Sequence, residues 1–587
     1  MKNKSHYDLL TEAAEKNNSG AWKQYPRPQM RRASYMILDD GWTMNSKPIK
    51  VPFPPQSVLS GYEGEIGEIT TYETKFSIPE SFSKEKILLH FGAVDQIAEV
   101  WLNDRYVGKH EGGYLGFTFD ITGFINKAEE GCPVENRLVV KVTDRLSKEY
   151  PYGKQCKKRG GMWYTPVSGI WQTVWLENVP EKYIEKVVIT PDTKGIKLSI
   201  KISGDTEEKI RKQAGENLIT TRVELSNGQV LETGYMSGEI YINLSEYICP
   251  DGSKYVPKLW TTEEPYLYSM KIMAGSDIVE TYFALRTIDI REMDGVKRVC
   301  LNGKPVFMHG VLDQGYFSDG IFTPAEPEEY ERDILRMKEL GFNMLRKHIK
   351  IEPECFYYYC DKHGMLVMQD MVNNGGYSFI RDTALPTIGF KKRKDTVKGV
   401  NKTHKNFIEH TRQTIEQLYN HPCIVAYTIF NEGWGQFNSD EMYDFVKSLD
   451  STRLIDSTSG WFWQKKNDFD SEHIYFRTVE FEKRERPLFV SECGGFSRKI
   501  EGHHYSKDKS YGYGSAGDEK QLTEMITNMY RKMIIPAIPD GACGCVYTQL
   551  SDIEDEINGL YTYDRKVCKV NKEEMLKLED EIEAALG

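Results

Sequence analysis

From about residue 289 onward, short apolar runs alternate with helical patterns, and few architectures accept that rhythm. Eight runs read as strands: PVFMHGV, NMLRKH, MLVMQDM, CIVAYTIFNE, RLIDSTSG, EHIYF, PLFVSE and GCVYTQL. They are short, rich in β-branched and aromatic residues and bounded by turn residues, as strands buried on both faces are. Between them lie helical patterns such as EPEEYERDILRMKELG and NKTHKNFIEHTRQTIEQLYN, with Gly341 and Asn420 as helix stops. Eight such alternations predict a (β/α)8 TIM barrel over residues 289–587.

The fourth run ends in Asn431 and Glu432, and the seventh in Glu492. The C-terminal strand ends of such a barrel carry its active site. Two carboxylates delivered there are the equipment of glycoside hydrolysis. A single glutamate after a strand commonly does no more than open a loop. Two, each closing a buried strand and followed by glycine within two residues, point to paired acid–base chemistry.

Residues 1–180 read as all-β. TTYETKFSIP, KILLHFGAVD, IAEVWLNDRYVG, NRLVVKVTD and GIWQTVWLENV recur between turn clusters, as in a jelly-roll β-sandwich. Trp171 and Trp175 are four apart in one run, which puts them on one face and in the core. Residues 181–288 hold further strands, including EKVVITPDT, IKLSIKISG and TYFALRTIDI, and predict an immunoglobulin-like β-sandwich. The polar stretch 203–217 reads as a solvated loop or short helix. A multidomain chain is expected, since 587 residues are too many for one core.

The net charge of −11 disfavours nucleic-acid and anionic-membrane partners. No apolar stretch is long enough to cross a bilayer, and MKNKSHYDLLTEAAEKNN has no apolar signal core, so a cytoplasmic protein is expected. Eleven cysteines, several inside apolar runs (Cys300, Cys423, Cys543, Cys545), fit buried reduced thiols better than disulfides. Cys543 and Cys545 lack the second pair a zinc site needs, so neither metal nor cofactor is expected. A homo-oligomer is compatible with this composition.

Two sandwiches followed by a barrel resemble glycoside hydrolase family 2, the family of β-galactosidases, β-glucuronidases and β-mannosidases. The likeness runs over nearly the whole chain. It rests on LLHFGAVDQIAEVWLNDRYVGKHEGGYLGFTFDIT, GGMWYTPVSGIWQTVWLE, FALRTIDI, LNGKPVFMHGV, LGFNMLRKHIKIEP, FNEGWG and VSECGG, in that order. The resemblance implies a retaining exo-β-glycosidase that cleaves a glycoside or oligosaccharide through a covalent glycosyl-enzyme. Glu432 then matches the general acid/base and Glu492 the nucleophile. Asn431 matches the ligand of the sugar 2-hydroxyl, and Tyr475 the tyrosine that hydrogen-bonds the nucleophile. Arg346 matches the arginine that keeps the nucleophile ionised, and His348 a sugar-hydroxyl ligand. Asp370 either binds sugar or braces Arg346. Asp313 and Gln314 face the same mouth, while Trp434, Trp461 and Trp463 offer stacking surfaces on the loops after strands four and five. The segment EGHHYSKDKSYGYGSAGDEK reads as a mobile loop over the mouth.

Departures from the family bear on the sugar. Its glucuronidases carry an N-x-K motif after the eighth strand. Here that region reads YTQLSDIEDEINGLYTYDRKVCKV, and the nearest N-x-K, Asn302 to Lys304, precedes the first strand. Asp552, Glu554, Asp555 and Glu556 would repel an anionic sugar if they face the site. Tyr547, Thr548 and Gln549 stand where the family's galactosidases usually place a tryptophan, and Cys493 follows Glu492 where an aromatic residue is common. A neutral, galactoside-like sugar is therefore expected. The alternatives are a uronidase, with Arg346 or a lysine of 391–398 on the carboxylate, a mannosidase, or a non-catalytic carbohydrate-binding protein.

Overall fold

The computed structural model describes residues 6–16, 22–126, 134–206, 218–391, 395 and 400–587. Its largest sheet is the expected barrel. The strands are β1 (Met308–Asp313), β2 (Met344–Lys347), β3 (Leu366–Asp370), β4 (Ile424–Asn431), β5 (Leu454–Ser459), β6 (Asp470–Ile474), β7 (Leu488–Gly494) and β8 (Ala542–Thr548). Parallel ladders join β1 through β5 in sequence, β6 to β7, β7 to β8 and β8 back to β1. Every residue of β4, β7 and β8 is buried, which is why these strands read as unbroken apolar runs. No ladder joins β5 to β6. Side chains close that seam: Ser471 Oγ donates to Asp456 Oδ2 at 2.7 Å, and Ser459 Oγ meets His473 Nε2 at 3.1 Å.

Helices α1 (Glu328–Lys338), α2 (Glu354–His363), α3 (Lys402–Leu418), α4 (Ser439–Leu449), α5 (Glu519–Met529) and α6 (Lys572–Leu586) pack outside the strands. Asn401 starts α3 through a capping box with His404, accepting from its backbone N–H at 3.0 Å. Gly364 ends α2 with a left-handed φ of 68°. Gly341 and Asn420 lie just beyond the ends of α1 and α3. The expected alternation fails at two places: no helix follows β5 or β6 among the described residues. Val479 and Phe481 in the second of these loops are spaced by two, which cannot line a helix face.

The first sandwich faces a four-stranded sheet (Tyr35–Ile37, Val174–Val179, Lys86–Phe91, Phe117–Asp120) against a six-stranded one containing Ile69–Ser77, Glu135–Thr143, Ile97–Leu102 and Arg105–Glu111. The second sets three strands (Ile184–Pro191, Gly195–Ile202, Gly238–Asn243) against four (Leu218–Glu224, Val230–Met236, Tyr268–Ala274, Asp277–Phe283). Most of the polar stretch 203–217 lies outside the described residues. The pairing of Trp171 with Trp175 needs correction. Both are buried, but the strand begins at Val174. Trp171 joins the aromatic contact with the barrel, against Tyr114 and Phe322, while Trp175 stacks on His90. The run was interrupted by Gln172 and Thr173, so the spacing of four carried no shared face.

The domains meet through buried polar groups. Arg32 donates to Glu177 of the first sandwich at 2.8 Å and to both oxygens of Asp277 in the second, at 3.0 and 2.8 Å. The first sandwich also sends a loop into the barrel mouth. Tyr152 N and Gly153 N donate to Asn373 O at 3.1 and 3.3 Å. Gly153 has φ 62°, and a Cβ there would lie 2.8 Å from Ile349 O, so the backbone approaches as closely as only glycine allows.

Candidate active site

The C-terminal mouth gathers Arg346 (β2), His348, Asp370 (β3), Asn431 (β4), Glu432, His473 (β6), Tyr475 and Glu492 (β7). Arg346 is the hub. Its Nε donates to Asp370 Oδ1 at 3.0 Å, its Nη1 to Glu492 Oε1 at 3.2 Å and to Ser491 O at 2.9 Å, and its Nη2 to Asn431 Oδ1 at 2.9 Å. Tyr475 donates to Glu492 Oε2 at 2.6 Å. Glu432 and Glu492 are 9% and 6% exposed, so both are nearly buried yet reachable. An oxygen of each and a ring nitrogen of His473 all lie within 4.8 Å of one another.

His473 sits between the two carboxyls. Its Nδ1 is 2.9 Å from Glu432 Oε1 and 3.5 Å from Glu492 Oε2. Its Nε2 faces Arg346 Nη1 at 3.5 Å. A guanidinium can only donate, so Nε2 keeps its lone pair and Nδ1 carries the proton toward Glu432. Burial pulls the ring down to about 3, which keeps it neutral. Among the described residues, Glu432, His473 and Glu492 are the one group whose atoms could hold a metal ion, and the proton on Nδ1 opposes that use.

Glu432 is unusual in backbone as well as charge. It has φ 53°, a left-handed conformation that costs a non-glycine residue roughly 1–2 kcal/mol. Its N–H donates to Ser459 O at 3.1 Å, holding the turn. Burial pushes its carboxyl up to about 7, against the pull of Lys154 and Arg346 and with the push of Asp382. Asp370 goes the other way. Burial raises it, but Arg346 and His348 outweigh that and hold it below the usual carboxylate range. Its Oδ2 accepts from His348 Nδ1 at 2.7 Å, so Asp370 braces both Arg346 and His348.

Other predicted contacts fall differently. Asp313 gives Oδ2 to Lys347 at 2.6 Å and Oδ1 to Gly315 N at 2.8 Å, inside a buried network with Glu352. Gln314 is buried beside it. Trp434 and Trp461 are 2% and 3% exposed. Trp434 packs edge-on against Tyr152, Trp163 and Tyr377, and Trp461 Nε1 donates to Asp382 O at 3.0 Å, so both wall the mouth without presenting a free face. Trp463 is more open but donates to Ser471 O.

The acidic run is mostly spent on structure. Asp552 pairs with Lys569 at 2.7 Å, Glu554 accepts from Thr165 N at 3.0 Å and Asp555 pairs with Arg159 at 3.3 Å. Glu556 alone turns toward the mouth, held by the Tyr164 hydroxyl and by Asn558 Nδ2 at 3.0 Å, while Gln549 orients Asn558 at 2.9 Å. Thr548 Oγ1 meets the Tyr475 hydroxyl at 3.0 Å. The Gly/Tyr-rich segment does lie here, but it is pinned. Tyr511 N donates to Asp555 O at 2.7 Å, Tyr513 N to Gly495 O at 2.8 Å, and the Tyr513 ring stacks on Tyr475 at 4.2 Å. Cys493 points into the barrel wall, fully buried. In the 391–398 segment only Lys391 and Asp395 are described, and Lys391 pairs with Glu472 at 2.9 Å. Asn302 of the misplaced N-x-K donates to Trp260 O, before β1 and away from this mouth.

His473 and Lys154 were not singled out from the sequence as groups facing the site. For His473 the strand EHIYF was a signal; for Lys154, in a loop of another domain, there was none.

Two family models match the chain: the sugar binding domain of glycosyl hydrolases family 2 over residues 25–180, and the TIM barrel domain of the same family over 292–532. The chain belongs to glycoside hydrolase family 2. Among its family 2 relatives, a β-galactosidase of Thermoanaerobacter pseudethanolicus is 26% identical over 404 residues, 66% of this chain and 48% of that protein. A putative β-glucuronidase of Formosa agariphila is 23% identical over 461 residues, 73% of this chain and 50% of that protein. The chain thus spans about half the length of these curated relatives. Among solved structures, a β-glucuronidase from an uncultured Clostridium sp. superposes with a TM-score of 0.69 at 19% identity, covering 95% of this chain and 99% of that one. At that identity the likeness speaks for the fold. Among the described residues no helix is long and apolar enough to cross a membrane.

Proposed function

We propose that this chain is a retaining exo-β-glycosidase, with Glu492 as nucleophile and Glu432 as general acid/base. The observation that carries the reading is the separation of the two carboxyls, whose facing oxygens lie within 4.8 Å. Carboxyls about 5–5.5 Å apart leave no room for a water between them, so one attacks carbon directly and configuration is retained. The environments support the division of labour. Arg346 and Tyr475 both donate to Glu492, which holds its two oxygens in a fixed orientation for attack. Glu432, pushed up to about 7, keeps a proton for the leaving oxygen and loses it to serve as base in the second step. Asn431 is a ligand for the 2-hydroxyl in this reading, and the domain limits at 180 and 288 belong to the same proposal. A 2-deoxy-2-fluoro β-glycoside should label the chain covalently, with the label on Glu492 by peptide mapping. Label on another carboxylate would overturn the assignment.

We further propose a neutral sugar, galactoside-like. The absence of N-x-K beyond β8 and the carboxyl of Glu556 at the mouth support it. The second reading, a β-glucuronidase, is favoured by the name of the Formosa agariphila relative. A panel of nitrophenyl β-glycosides separates the two: a glucuronide ranked first by kcat/KM would decide for the second.

A further inference from the structure

The loop that the first sandwich sends into the barrel carries a lysine with nothing to hold among the described residues. Lys154 is 9% exposed. Its backbone is fixed: Tyr164 N donates to Lys154 O at 3.0 Å, and Gly153 before it is wedged against Ile349 O. Its ammonium lies 5.6 Å over the Trp163 ring, and Trp163 in turn packs on Trp434, two residues beyond Glu432. Among the described residues no carboxylate, carbonyl or hydroxyl accepts from it. Its charge reaches Glu432, Glu556 and His348, pulling all three toward lower pKa. The side chain is mostly covered, but the ammonium itself is not sealed off by protein, so a ligand entering the mouth can reach it.

The cations nearby are committed. Arg346 spends its donors on Asp370, Glu492, Ser491 and Asn431, and Lys391 pairs with Glu472. Among the described residues, a sugar carboxylate on Lys154 would therefore meet Glu432, Glu492 and Glu556 with this one uncommitted cation to balance it. A hydroxyl fits better: it accepts from Lys154 and can donate onward to Glu556, whose remaining acceptor capacity is not used up by Tyr164 and Asn558. We propose that Lys154 is a specificity-determining residue that donates to a hydroxyl of a neutral sugar in the barrel mouth, opposite Glu556. This rests on the glycosidase reading above.

The test uses the full chain and its best nitrophenyl glycoside, with the monodeoxy analogues of that sugar. Wild-type labelling by the 2-deoxy-2-fluoro glycoside separates the two readings: no labelling by any sugar means the glycosidase reading has failed. With labelling intact, Lys154→Met should lower kcat/KM by about 10–100-fold, mainly through KM. One deoxy substrate should lose rate with wild type yet show no further loss in the variant, and Lys154→Arg should recover part of the rate. The basic limb of the kcat/KM profile should move to higher pH, because the Lys154 charge favours ionised Glu432. An unchanged kcat/KM, or an equal loss on every deoxy analogue, would overturn the proposal. So would a glucuronide that is the best wild-type substrate and is lost selectively in Lys154→Met.

Discussion

Two buried arginines organise this molecule, and they differ in what they leave over. Arg32 joins the two sandwiches through Glu177 and Asp277, and every partner is saturated. Glu177 also accepts from Tyr25 at 2.5 Å, Arg27 at 2.6 Å and Trp175 at 3.1 Å, and Asp277 from Ile184 N at 2.8 Å. Arg346 binds as many acceptors, but the groups it orients keep capacity. Glu492, Asn431 and Glu432 lie at a mouth that a ligand can enter. Burial with every acceptor spent makes a rivet; burial with acceptors in reserve makes a site.

Substitutions can break that contrast, and the largest effect should come from Glu492. Glu492→Gln should lower kcat by about 10⁴-fold or more while leaving the thermal midpoint nearly unchanged, checked by stopped assays and calorimetry. Glu432→Ala should cost about 10²–10⁴-fold on poor leaving groups and much less on activated aryl glycosides, with azide restoring turnover. A uniform loss across leaving groups without rescue would argue against its acid/base role. Arg32→Met should show the reverse signature of Glu492→Gln. Leaving Glu177 and Asp277 buried without it should cost about 3–5 kcal/mol in denaturant unfolding, with normal kcat for the molecules still folded. If Arg32→Met instead lowers kcat at constant stability, the contrast fails. Tyr475→Phe removes one bond to the Glu492 carboxyl and should cost roughly 10–100-fold in kcat/KM.

The smallest effect is on pH. The acid step needs Glu432 protonated, so kcat/KM should be retained below about 7 and fall as pH rises through that value. Glu432→Gln should remove that limb from whatever activity remains.

How much was legible follows the physics of each part. The barrel strands were readable because burial on both faces forces unbroken apolar runs, and Glu432 and Glu492 were readable because they close two of them. The roles of Arg346 and Tyr475 came from resemblance; the structure shows that both side chains contact Glu492. What the sequence hid depends on distance in space. Lys154 stands 278 positions before Glu432 in the chain and reaches it through domain packing alone. Asp313 was expected at the sugar because of its strand end, but a neighbouring lysine, itself unremarkable in sequence, claims it. The loops after β5 and β6 look like any connection until the missing helical period is noticed.

The seam between β5 and β6 has a dynamic consequence. Backbone amides that point into it lack a partner strand and donate to side chains instead: Ile455 N to Asp468 Oδ2 at 2.8 Å and Ser457 N to Asn467 Oδ1 at 3.2 Å. Solvent deuterium should enter there by small local openings, ahead of the fully laddered strands β1 to β4. His473 is one of the side chains that close the seam. Its Nδ1 lies 2.9 Å from Glu432 Oε1, so an opening at the seam is expected to loosen that contact with the acid carboxyl as well.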